Sequence, residues 1–182
     1  MNQEWVFRLA ERADTDAVVA LMQSAYRGES GKRGWTTESD LLDGQRTDAA
    51  EVLSTITNPD SVVLLAFEQT PEGLRLVGTC NTARNANGTA AYFGAFAVSP
   101  DCQARGLGKR LLEQAERHAH ETWGAATMRL CVVHSREELI AFYLRRGYRA
   151  TGETEPFPYG QPRFGLPRVE NLQFVWFSKT LV

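Results

Sequence analysis

The sequence predicts one α/β or α+β domain in which helices cover a β-sheet. Apolar runs typical of strands alternate with segments whose apolar residues repeat every three to four positions, as they do in amphipathic helices. The 182 residues, 43% of them hydrophobic and 23% charged, suit a single domain with a sizeable core. The chain contains no internal repeat or low-complexity tract, so residues 1–182 are assigned to one domain.

The first elements along the chain are a strand and a helix. Residues 5–12 have the composition of a strand, and Asp14 or Thr15 can cap the helix that follows, because its apolar positions keep the helical period. Residues 27–47 carry four glycines and many charges, which predicts a loop with at most one short helix near 37–42. A loop of this length in a compact domain is often functional.

A short helix, a hairpin and a further strand are predicted next. Thr47 or Asp48 can cap a helix through Ile56, which stops before Pro59 because a residue preceding proline is disfavoured in helical geometry. We predict strands over residues 61–68, 74–84 and 89–99. The last of them is apolar enough to be covered on both faces of the sheet.

Helices and strands alternate in the second half. One helix is predicted from residue 106 to 123 with Gly124 as its stop, and another over 135–147, where Ser135 and Glu138 have capping-box spacing. The remaining segments predict strands at 126–134, 148–153 and 171–182, with a proline-rich loop at 156–170.

Composition excludes several classes of function. The chain has 20 basic and 22 acidic residues, and this even balance argues against binding of nucleic acid or of an anionic membrane surface. A secretory signal pattern and a membrane-spanning apolar stretch are both absent from the sequence, so a cytoplasmic protein is expected. The three cysteines are too widely spaced for a disulfide framework or a Cys-x-x-Cys metal site, and no metal is expected.

A glycine-containing segment, "DCQARGLGKRLL" (101–112), indicates an anion site. A helix start exposes unpaired N–H groups and carries partial positive charge, and glycines let a phosphate approach the backbone. The alternative is that the glycines only form a tight turn and the basic side chains a solvated rim. Gln103 and Arg110 do not fit a P-loop, and Leu111 does not fit a dinucleotide fingerprint.

The segment 97–116 resembles the acetyl-CoA-binding segment of the GCN5-related N-acetyltransferase (GNAT) family, since Gln103-x-x-Gly106-x-Gly108 matches its signature in full. "LIAFYLRRGY" (139–148) resembles the helix of that family that ends in Tyr, three residues, Gly and an aromatic residue. This resemblance implies a mixed, mostly antiparallel sheet of about six to seven strands flanked by helices. It also implies a splay between the fourth and fifth strands.

The resemblance implies acetyl-CoA as co-substrate, with its diphosphate on the backbone N–H groups of residues 103–109 and its pantetheine arm along residues 96–98. The implied cofactor-binding residues are Phe96, Ala97, Val98, Gln103, Ala104, Arg105, Gly106, Leu107, Gly108, Lys109 and Tyr143. One position departs from the family, because Arg136 stands where Asn is frequent. This departure puts in doubt a side-chain contact to the cofactor there.

Two residues are candidates for the chemistry. Tyr143 would protonate the departing CoA thiolate, because a phenol holds its proton at neutral pH. The alternative is that it only fills the core. His134 would act as the base, since its reference pKa suits that role, although a histidine at a strand end is more often a surface group.

The predicted activity is acetyl transfer to a primary amine of a small molecule or of a peptide terminus, and the alternative is a non-catalytic acyl-CoA sensor. The candidate residues for the acceptor pocket are Glu29, Trp35, Glu38, Asp40, Glu155, Phe157, Tyr159 and Phe164. Many relatives are homodimers, but the sequence shows no assignable interface. The motif therefore specifies the acetyl donor and not the acceptor.

Overall fold

A computed structural model of the chain describes residues 5–27 and 38–182. Within them the chain forms nine strands and four α-helices, which confirms the predicted class. The strands are β1 (Trp5–Leu9), β2 (Leu42–Asp43), β3 (Ser61–Thr70), β4 (Gly73–Arg84), β5 (Ala90–Val98), β6 (Thr127–Val133), β7 (Arg149–Pro156), β8 (Leu166–Pro167) and β9 (Gln173–Thr180). The helices are α1 (Thr15–Tyr26), α2 (Ala49–Thr57), α3 (Leu107–Trp123) and α4 (Glu137–Leu144).

Seven strands form one sheet in the order β1-β3-β4-β5-β6-β9-β7. β5 and β6 run parallel, and the other neighbours in this sheet are antiparallel. The mixed, mostly antiparallel sheet that the sequence implied is thus confirmed. β2 and β8 form a separate two-stranded ribbon, which was not predicted because two residues are too few to show a period.

The middle of the sheet opens between β5 and β6. Their parallel pairing ends at Tyr92 with Arg129, whereas β5 continues to Val98 and β6 to Val133. Beyond Tyr92 the two strands separate. This is the expected splay between the fourth and fifth strands of the sheet.

A β-bulge changes the direction of β5 in the part of the strand that has separated from β6. The register with β4 passes from Asn81 opposite Gly94 to Thr79 opposite Ala97, so β5 contributes one extra residue there. Ala95 lies inside this step with a φ of 46°, which is rare for a residue that has a side chain. Bulges of this kind are frequent beside functional sites because they turn neighbouring side chains and backbone groups.

Helices cover both faces of the sheet. α3 and α4 pack on one face through apolar side chains such as Leu111 and Phe142. α1 and α2 pack on the other through Val18, Met22 and Val52. None of the helices in the described ranges combines the length and apolar composition needed to cross a membrane.

The helix starts agree with the sequence at α2 and differ at α4. The Asp48 carboxylate accepts the Glu51 N–H at 2.8 Å, as expected of a capping residue. The capping box predicted at Ser135 is wrong, because the N–H of Arg136 donates to the carbonyl of Val133 and the helix begins one residue later. Arg136 therefore sits at the junction of β6 and α4, beside the splay.

Candidate functional site

A cavity of about 470 Å³ lies at the splay between β5 and β6. Its walls include Tyr26 from α1, Val52 from α2, Phe96 from β5 and Tyr143 from α4. Because these elements cover opposite faces of the sheet, the cavity reaches both faces at the place where two strands separate. Its volume is in the range of small-molecule sites.

Phe96, which lines this cavity, also packs against the start of α3. Ala104 and Gly106 have left-handed backbones, with φ of 65° and 83°, and the first hydrogen bond of the helix runs from the Arg110 N–H to the Gly106 carbonyl at 3.2 Å. The N–H groups of residues 107–109 consequently have no acceptor within the helix. Together with the dipole of a 17-residue helix they favour a bound anion.

The two glycines of the motif are needed for different structural reasons. A methyl group placed on Gly106 would meet no atom within 4 Å, so the surface is open at this position, where the backbone also has a positive φ. A methyl group on Gly108 would lie 3.0 Å from Cζ of Phe96. Gly106 is thus where a ligand can approach closely, whereas Gly108 lets Phe96 pack against α3.

Two of the basic side chains in the motif are used within the fold. Arg105 donates to the Glu68 carboxylate at 2.9 Å, and its guanidinium lies 5.0 Å from the centre of the Trp5 ring. Arg110 lies over the Phe7 ring at 5.4 Å. Their charges therefore anchor α3 to the β1 and β3 side of the sheet.

Gln103 and Lys109 of the motif differ in how strongly the fold holds them. The Gln103 amide donates to the Val98 carbonyl at 3.0 Å and ties the loop to the end of β5. Lys109 is exposed, with its nearest carboxylate at 3.6 Å on Glu113. Backbone N–H groups, Lys109 and the exposed Arg110 contribute positive potential at the helix start.

Tyr143 lies in the cavity wall and is 4% exposed. Its ring contacts the rings of Phe93, Phe96, Phe142 and Tyr148, with centroids 5.2 to 6.5 Å apart. Burial raises the pKa of its phenol well above the ordinary value. The hydroxyl therefore stays protonated across the neutral range.

His134 does not reach the cavity. It is exposed, and its Nδ1 accepts the backbone N–H of Gln173 at 3.2 Å. That contact occupies one ring nitrogen at the end of β6. The structure thus brings Tyr143 and Phe96 together and leaves His134 apart from them.

The other residues expected along the pantetheine arm lie beside the wall. Ala97 is fully buried among the α1 and α2 side chains, and Val98 pairs with Gly78 of β4. Phe96 connects the cavity to the helix start because it contacts both Tyr143 and the surface of Gly108.

Some of the residues predicted for the acceptor pocket line the cavity. Phe157, Phe164 and Glu155 line the cavity, whereas Asp40 and Tyr159 do not. Glu29 and Trp35 lie outside the described residues. Glu38 also lines the cavity, but arginines surround its carboxylate.

These groups form an arginine cluster, defined as Arg27, Arg46, Arg136 and Glu38, that the sequence did not reveal. The Glu38 carboxylate accepts from Arg27 at 2.5 Å and from Arg136 at 3.1 Å, and the Nε of Arg46 lies 3.8 Å away. Burial alone would raise the pKa of Glu38, but the guanidinium groups of Arg136, Arg46 and Arg27 outweigh it and hold the pKa below its usual value. Nothing in the local sequence signals this cluster, since its members come from three separate parts of the chain.

Comparison with known proteins gives a consistent family match. Residues 18–148 match the acetyltransferase (GNAT) family. The search of curated proteins found no match.

Solved structures show the same fold at low identity. The Salmonella typhimurium protein YncA with its cofactor acetyl-CoA is 17% identical, with a TM-score of 0.69 over 98% of this chain and 94% of that one. Spermidine/spermine N-acetyltransferase SpeG from Vibrio cholerae, in complex with manganese ions, is 13% identical, with a TM-score of 0.67 over 98% and 93%. The ribosomal-protein-S18-alanine N-acetyltransferase from Escherichia coli is 18% identical, with a TM-score of 0.66 over 98% and 94%.

Proposed function

Because this chain belongs to the GNAT acetyltransferase family, we propose that it transfers an acetyl group from acetyl-CoA to a primary amine by direct attack. The amine belongs to a small molecule or to a peptide terminus. The observation that carries the proposal is the cavity at the splay, which has Tyr143 in its wall and is connected to the start of α3 through Phe96.

The residues at the start of α3 suit a diphosphate. The open surface over Gly106 and the N–H groups of residues 107–109 offer donors without a steric barrier. We propose that acetyl-CoA is held by Phe96, Ala97, Val98, Gln103, Ala104, Arg105, Gly106, Leu107, Gly108, Lys109 and Tyr143. Bound there, acetyl-CoA supplies an activated acyl group and a thiol leaving group.

Tyr143 is proposed as the acid. Its hydroxyl holds a proton throughout the neutral range, because burial raises its pKa. In the cavity wall, it can donate that proton as negative charge appears on the departing sulfur. The amine must be neutral to attack, and His134 remains a prediction for the base, although its position outside the cavity gives that role no support.

The proposal is tested by thermal-shift and thiol-release assays with acetyl-CoA. The acceptor panel contains polyamines and alanine-terminated peptides, since two structural neighbours bear names that denote such acceptors, and also amino acids and aminoglycosides. We expect stabilisation by acetyl-CoA and thiol release with at least one amine. Stabilisation without turnover would instead support an acyl-CoA sensor. If no acyl-CoA stabilised the protein, both the acetyltransferase and the sensor hypothesis would be contradicted.

Tyr143→Phe is the variant that tests the acid in the same assay. We expect kcat to fall by about 100-fold or more, because general acid catalysis typically contributes that much. Tyr148→Phe is the matched control, since its hydroxyl donates to Glu116 outside the cavity wall. A near-normal kcat for Tyr143→Phe would show that this residue only packs the core.

A further inference from the structure

The arginine cluster lies at the cavity wall, and the acetyl transfer proposed above assigns it no role. Arg46, Arg136 and Glu38 line the cavity, and Arg27 lies behind them, 3% exposed. Charged groups are rarely buried without a purpose, because desolvation is costly unless each charge is paired.

The cluster carries more positive than negative charge. Glu38 offers one carboxylate to three guanidinium groups. The other carboxylates in the wall are Glu51, which accepts the Thr47 hydroxyl at 2.7 Å, and Glu155. The excess of positive charge is therefore a property of the arginine cluster and not of the whole wall.

Arg27 and Arg46 both have buried side-chain N–H groups without a hydrogen-bond acceptor among the described residues, and of the two Arg46 lines the cavity. The Nε of Arg46 is buried and donates to no described residue, because the 3.8 Å to the Glu38 carboxylate is too long for a hydrogen bond. Its guanidinium is held over the Tyr26 ring at 5.0 Å. A charged N–H that is held at a cavity wall without a hydrogen-bond acceptor favours an anionic oxygen ligand.

We propose that the acceptor amine also carries a carboxylate, as an amino acid or a small amino-acid derivative does, and that Arg46 binds this carboxylate. The inference rests on the proposed acetyl transfer and adds a substrate class to it. The cavity of about 470 Å³ admits a small molecule of this kind. A polyamine fits less well, because it would bring further positive charge to the arginine cluster.

Matched acceptor pairs test the inference on the wild-type protein. Each pair is an amino acid and the amine left after removal of its carboxylate: lysine and cadaverine, phenylalanine and phenethylamine, histidine and histamine, methionine and 3-(methylthio)propylamine. Thiol release gives kcat/KM for each compound, and calorimetry in the presence of CoA gives its Kd. We expect the carboxylate-bearing member of at least one pair to be preferred at least tenfold in both measurements.

Variants assign the preference to the guanidinium. Arg46→Gln should reduce the ratio of kcat/KM within the preferred pair at least tenfold, and Arg46→Lys, which keeps the charge, should reduce it less. Arg117→Gln, an exposed arginine of α3, is the matched control and should leave the ratio unchanged. Stabilisation of each variant by acetyl-CoA reports whether it is folded.

The outcomes separate this inference from the proposed function. Equal or better use of the decarboxylated amines, or acetylation of other amines while no amino acid binds, overturns the carboxylate site and leaves acetyl transfer standing. If no amine is acetylated, calorimetric binding of an amino acid that Arg46→Gln abolishes supports the site, and absence of such binding overturns it.

Discussion

Among single residues, Glu38 holds together two buried arginines, Arg27 and Arg136, and the half-buried Arg46. Glu38→Gln leaves these guanidinium groups without their shared counter-ion, and we expect a loss of about 3–5 kcal/mol of unfolding free energy at pH 7. Urea denaturation measures it. Glu72→Gln, in an exposed turn, is the control and should change stability by less than about 0.5 kcal/mol.

The same residue makes stability depend on pH. The pKa of Glu38 is lower in the folded protein than the ordinary value of about 4.3. Its stabilising effect is therefore complete above that ordinary value and is lost as the pH falls through the folded pKa. The Glu38→Gln variant should lose this part of the acid dependence, and an unchanged acid limb would show that Glu38 does not carry it.

At the scale of elements, the two ends of α3 provide a matched pair of glycines. Gly106 and Gly124 both have positive φ, 83° and 67°, and an added methyl group would meet no atom within 4 Å at either position. We expect Gly106→Ala and Gly124→Ala each to cost about 1 kcal/mol, because the left-handed conformation disfavours a side chain.

Acetyl-CoA binding should respond to the substitution at one end of α3 and not to the one at the other end. If the start of α3 holds the diphosphate, Gly106→Ala raises the Kd for acetyl-CoA at least tenfold, whereas Gly124→Ala leaves it unchanged. Calorimetry on the two variants measures both values. Equal Kd values would show that the open surface at Gly106 is not where the cofactor binds.

At the scale of the whole molecule, we propose that residues 1–182 form one cooperative domain. Strands from both ends of the described chain, β1 and β9, belong to the same sheet. We expect one calorimetric transition, which acetyl-CoA at 100 times its Kd shifts as a unit by about 2.7 kcal/mol. Two separate transitions, with only one shifted, would contradict a single domain. Monomer and homodimer both stay open predictions, which sedimentation velocity distinguishes.

Much of the fold was predictable because strands and helices have local periods. The hairpin of β3 and β4, the helix from Leu107 to Trp123 and the Asp48 cap all follow from nearby residues. The two-residue strands β2 and β8 could not be predicted from nearby residues, because they form only by pairing with each other across more than a hundred residues of chain. Ser135 has the spacing of a capping residue, but it does not cap the helix, because the Arg136 N–H donates to the Val133 carbonyl in a turn at the end of β6.

The family signature, the helix start beside a strand and Tyr143 as a candidate acid could all be predicted from the sequence, because each is a pattern within a short stretch. The packing role of Gly108, the position of His134 outside the cavity and the contact of Arg46 with Glu38 at its wall became visible only in the folded chain. Burial and ion pairing depend on distances between elements. Residues far apart in sequence acquire these distances only when the sheet closes around its splay.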